Sequence, residues 1–91
     1  LLLRQGEVLG YDFNRMVVEF TMLNQGKVIP CAISTAALDD LERNTSVKPD
    51  GRKDQFLRLR AVVEERADRK FSAGFVEAGG RLVLRSGDFR D

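Results

Sequence analysis

Three groups of side chains in this sequence have the types and spacing to do chemistry: Cys31, Arg60 with Glu64, and Tyr11 with Asp12. Cys31 is the single cysteine, and histidine is absent. A reactive thiol would therefore need a nearby cation or helix N-terminus, not an imidazole, to lower its pKa. Strand alternation instead places Cys31 with Ile29 and Ile33, as a small buried thiol used as a hydrophobe. Arg60 stands one helical turn before Glu64, at the border of an apolar stripe. Its planar donor fork suits a carboxylate or phosphate ligand in a groove. The competing role is structural, with the methylenes laid on the core and the head paired to Glu64 or a loop carbonyl. Asp12 precedes a tight turn and has the character of an Asx-type turn former. Tyr11, Asp12, Arg60 and Glu64 are thus the candidate binding residues. No residue stands out as catalytic, and no metal or cofactor is expected.

Other features carry less chemistry. Residues 50–70 hold seven basic and five acidic side chains. Arg52, Lys53, Arg58, Arg66 and Arg69 could face nucleic acid, but the signs are interspersed, as on a solvated helix with internal pairs. No aromatic residue alternates with these cations as in a single-strand stacking platform. Asp39, Asp40 and Glu42 diverge around a helix and are expected to face water. Gly79-Gly80 belongs to no phosphate-cradling motif.

These groups must be positioned by a small fold. The chain has 91 residues, 43% hydrophobic and 32% charged, with a net charge of +1. That is one domain's worth of core, too apolar for a disordered tail, and its bulk charge attracts neither nucleic acid nor an anionic membrane. Leu1-Leu2-Leu3-Arg4 is too short for the apolar region of a signal peptide, and no apolar run has membrane-spanning length, so a cytoplasmic protein is expected.

A first strand is predicted from Glu7 to Tyr11. In the next, Met16, Val18, Phe20 and Met22 alternate with a mixed set, which marks one well-buried face. Asn24-Gln25-Gly26 turns the chain into a third strand from Lys27 to about Ile33, where Pro30 argues for an edge or a bulge. Ser34 is placed to cap a helix reaching about Arg43. A second, longer helix from near Asp50 to about Lys70 carries Phe56, Leu59, Val63 and Ala67 on one face, widened by Leu57 and Val62. Phe75–Glu77 and Arg81–Arg85 are expected to form a second hairpin about Gly79-Gly80. The predicted fold is α+β: a small, mostly antiparallel sheet in the order β-β-β-α-α-β-β, packed against one long and one short helix as a single domain over 1–91.

Several spaced residues run through these elements in order. They are Tyr11-Asp12 with Arg15, Val18 and Phe20; Val28 to Cys31 with Ile33-Ser34 and Ala37-Leu38; Phe56, Arg60, Val63-Glu64, Ala67 and Lys70; and Leu82-Val83-Leu84 with Asp88. Over nearly its whole length the chain resembles a group of short bacterial proteins, the DUF1488 family of unknown function. The resemblance implies a compact cytoplasmic α+β fold and no particular activity.

A non-enzymatic accessory or interaction module is the leading expectation, self-associating through an edge strand or through Leu23, Phe75 or Phe89. A small-ligand binder or enzyme using Arg60, Cys31 and Asp12 is the first alternative. A nucleic-acid-associated regulator using the long helix is the second.

Overall fold

A computed structural model describes residues 2–90. Three strands form an antiparallel meander, β1 (Arg4–Asp12), β2 (Val17–Asn24) and β3 (Lys27–Ser34). Two helices follow, α1 (Thr35–Glu42) and α2 (Arg52–Ser72), the second entered through a short 3-10 turn at Pro49–Gly51. The chain then returns as β4 (Leu82–Leu84), parallel to β3, and closes on a 3-10 turn at Ser86–Phe89. The sheet order is β1-β2-β3-β4, an α+β fold with a mixed sheet. No helix among the described residues is long and apolar enough to cross a membrane.

Alternation decides which side of the sheet is covered. Val18, Phe20 and Met22 of β2 and Ile29, Cys31 and Ile33 of β3 share the buried core with Phe56, Val63 and Ala67 of α2. Phe20 meets Phe56 with ring centroids 4.9 Å apart. Met16, expected in this series, is exposed in the β1–β2 turn with φ 56°, because the strand begins only at Val17. Leu59 packs partly against the core, whereas Leu57 and Val62 are exposed, so the helical stripe is narrower than expected.

In β1, Val8 and Tyr11 both pack against the core although they are three residues apart. An uninterrupted strand would put them on opposite faces. A bulge between Val8 and Gly10, with φ 122° at Gly10, restores the phase and leaves Leu9 exposed.

β2 and β3 are joined by the two-residue turn Gln25-Gly26, with φ 52° and 82°. Counting from that turn, Pro30 falls in a non-hydrogen-bonded pair with Thr21, so its missing N–H faces away from β2. β4 reaches only Cys31–Ile33, so Pro30 lies beyond its end at a locally open edge of an otherwise central strand.

The second hairpin does not form. α2 ends in a Schellman motif, with Gly74 at φ 83° and the Phe75 amide donating to Lys70 O at 3.2 Å. Glu77 N donates to Arg81 O at 2.8 Å across the Gly79-Gly80 turn, but no ladder follows. β4 already has β3 on one side, and Lys70 Nζ donates to Val83 O at 2.7 Å. Phe75–Glu77 stays outside the sheet, and β4 meets that lysine in place of a second hairpin strand.

Candidate functional site

The residues expected to bind are placed apart. Arg60 and Glu64 lie on α2 beside the start of β1, whereas Tyr11 and Asp12 end that strand. Arg60 Nε donates to Glu64 Oε2 at 2.9 Å, and its Nη2 donates to Gly6 O at 3.1 Å. Gln5 Nε2 donates to Glu64 Oε1 at 3.0 Å. The guanidinium therefore fastens α2 to β1 instead of facing a groove. Asp12 Oδ1 accepts from Asn14 N at 3.0 Å and Arg15 N at 3.2 Å, the expected Asx turn. Tyr11 is half-buried and meets Phe13 edge-on at 6.1 Å.

Cys31 is buried, its Sγ 3.4 Å from Ile29 O. Burial pushes its thiol up to about 12, the reverse of what a nucleophile requires. It lies in the core, apart from Arg60 and Asp12.

Asp39 and Glu42 do not simply face water. Asp39 Oδ1 accepts from Arg52 Nη1 at 2.6 Å and from Gln55 Nε2 at 3.0 Å, at the α1–α2 contact. Burial opposes its charge, but these hydrogen bonds and the Arg52 cation prevail and hold its carboxyl below the usual range. Glu42 accepts both Nε and Nη2 of Arg58. Arg69 pairs with Glu65 at 2.7 Å, and Arg66 lies over the Phe89 ring while donating to Asp88 O. Of the five cations considered for nucleic acid, four thus hold partners within the protein.

A further cluster of cationic side chains surrounds a cleft on the face of the sheet opposite the core. Arg81-Leu82-Val83-Leu84-Arg85 alternates, so Leu82 and Leu84 enter the core while Val83 takes the other face, flanked by the two arginines. Val83 pairs with Ala32, and Ala32 with Glu19, in one row across the sheet. Arg81 Nη2 stands 3.5 Å from Glu19 Oε2 at that face. Ala32 in the middle of that row is fully buried. Beside this row lies a cleft of about 520 Å³, with Val17, Ala36 and Val83 among its apolar lining and Arg15, Arg81, Arg85 and Arg90 around it. Thr35 N donates to Met16 O at 2.9 Å, which holds the β1–β2 turn, and Arg15 with it, against the start of α1. Glu77 reaches in from the loop after α2 and accepts from Arg85 Nη1 at 2.9 Å. Among the described residues, no group of three or more carboxylate, thiol or imidazole side chains is arranged to hold a metal ion.

These arginines escaped sequence analysis because they come from three separated segments. The alternation of Arg81, Val83 and Arg85 is the one local signal, and it fits a hairpin strand equally well.

A family model described as "Protein of unknown function (DUF1488)" matches residues 6–84. The chain belongs to the DUF1488 family. A crystal structure of a DUF1488 protein of unknown function from Shewanella loihica PV-4 is similar to it, with a TM-score of 0.81 and 23% identity over 91% of each chain. At that identity the likeness establishes the DUF1488 fold alone. No curated protein matches the chain.

Proposed function

We propose that this DUF1488 protein is a non-enzymatic binding module that holds an oxyanion-bearing ligand in the arginine-rimmed cleft. The observation that carries this proposal is the convergence of Arg15, Arg81, Arg85 and Arg90 on one cavity with an apolar floor. Guanidinium forks match the paired oxygens of carboxylates and phosphates, and they stay charged across the accessible pH range. The volume falls within the roughly 300–1,000 Å³ of small-molecule sites. Ser34 Oγ, also in the lining, is engaged in capping α1 through Ala37 N at 3.1 Å, and Glu77 is paired with Arg85. Both side chains are committed to structure, which favours binding over catalysis.

Self-association through an edge strand has less support. Arg60 takes a carbonyl of β1 and Lys70 a carbonyl of β4, so each edge strand has one backbone acceptor engaged by α2.

Titration of the isotope-labelled protein with pyrophosphate at low salt tests the proposal. Amide shifts are expected at Val17, Val83 and Gly87, with affinity weakened about tenfold or more in Arg81→Gln and Arg85→Gln. Arg85 sits in an exposed pair, so Arg85→Gln should keep stability within roughly 1 kcal/mol of the parent. Shifts confined to α2, or equal affinity in the variants, would reject the site.

A further inference from the structure

Building on that proposed binding role, we infer that the cleft selects a doubly charged phosphate monoester carried on a small apolar body, and discriminates against monocarboxylates. The basis is the state of its rim. Arg85 Nη1 is 2.9 Å from Glu77 Oε2, Arg81 Nη2 is 3.5 Å from Glu19 Oε2, and Arg15 Nε is 3.9 Å from Asp12 Oδ2. Three of the four rim arginines already face a carboxylate of the chain itself. At these three arginines an entering monocarboxylate exchanges one carboxylate contact for another of equal charge, so the gain there is small. A phosphate monoester carries close to two charges above its second pKa, near 6, and offers three acceptor oxygens. It can accept from two guanidiniums together, which no single tethered carboxylate does. The chain's own acids thus set a threshold that only a more highly charged group exceeds.

Glu77 sets that threshold most directly. It makes the shortest of the three pairs, it lines the cleft, and it stands on a loop whose Gly74, Gly79 and Gly80 all have positive φ. Val17 and Val83 beneath the rim provide contact for a carbon skeleton, which free phosphate lacks.

The test is calorimetric titration of the full chain with phenyl phosphate, inorganic phosphate and benzoate at one fixed ionic strength. Near neutral pH, phenyl phosphate should bind roughly tenfold tighter than benzoate and severalfold tighter than inorganic phosphate. Near pH 5, below the second phosphate pKa of about 6, its advantage over benzoate should shrink. E77Q should strengthen benzoate binding more than phenyl phosphate binding. Benzoate matching phenyl phosphate, an advantage indifferent to pH, or an unchanged ratio in E77Q would overturn the inference. Inorganic phosphate equalling phenyl phosphate would overturn the apolar body. If none of the three probes binds either protein, the proposed binding role itself fails.

Discussion

At the scale of single residues, Gly6 is the glycine with no room for a side chain. A Cβ added at Gly6 would lie 2.5 Å from the carbonyl oxygen of Thr21, on the backbone of the neighbouring strand. Thr21 Oγ1 also accepts from Glu7 N at 2.9 Å, so it cannot swing away without loss. Gly6→Ala should therefore destabilise the protein by about 1–3 kcal/mol, the usual cost of overpacking with a backbone shift, read from denaturant unfolding. Cys31 gives a second prediction. Burial keeps the folded thiol protonated up to about 12 against an ordinary 9.0. The unfolded chain releases that proton first as pH rises, so this contribution is complete below pH 9.0 and is lost between 9.0 and about 12. The slope should be steeper than that of Cys31→Ala by roughly 1.4 kcal/mol per pH unit. Iodoacetamide should label the native thiol only on the timescale of unfolding. Rapid native labelling would show that the thiol is accessible. The buried character of Cys31 was legible from its place between Ile29 and Ile33, because alternation is a local signal. The partner of Arg60 was not, since Gly6 lies 54 positions away and only the fold brings them together.

At the scale of elements, α2 does more than cover the sheet. Its apolar stripe seals the core, while Arg60 holds β1 at one side and Lys70 holds β4 at the other. Lys70 Nζ also meets Asp88 at 3.0 Å, and Asp88 accepts from Arg85 N at 2.7 Å, so the final turn is tied to the same helix. Arg60→Met retains the methylenes but removes both polar contacts. It leaves the Gly6 carbonyl without that donor and Glu64 with the Gln5 amide. The expected loss is about 1–3 kcal/mol in chemical denaturation, as for an unsatisfied, partly buried polar group. An unchanged midpoint would mean that this fastening carries no stability. The meander and both helices were readable because each has a short period: two in the strands, 3.6 in α2, and a serine cap at Ser34. The parallel placement of β4 was hidden, since Gly79-Gly80 is a sound turn signal whatever pairs beyond it. Instead of a hairpin partner, β4 meets a lysine from the preceding helix, which no pattern within residues 75–85 encodes.

At the scale of the whole molecule, the two faces of the sheet divide the work. One is spent on the core, and the other carries Val17, Ala32 and Val83 with the arginine-rimmed cleft beside them. This division explains why the candidate site was harder to infer than the fold. A core face repeats along each strand, whereas the cleft gathers Arg15 from a turn, Arg81 and Arg85 from the ends of β4, and Arg90 from beyond the last turn. The placement of β4 also bears on how the protein matures. Leu82 and Leu84 are fully buried in the same core as Cys31 and Ile33, yet in chain order they come after the meander and both helices. During synthesis the meander and both helices emerge before the last slat of the sheet exists, with oily side chains waiting on an unfinished edge. Lasting closure must wait until residues 82–84 clear the ribosome, so a premature stop ahead of Leu82 would leave a sticky, unsealed intermediate.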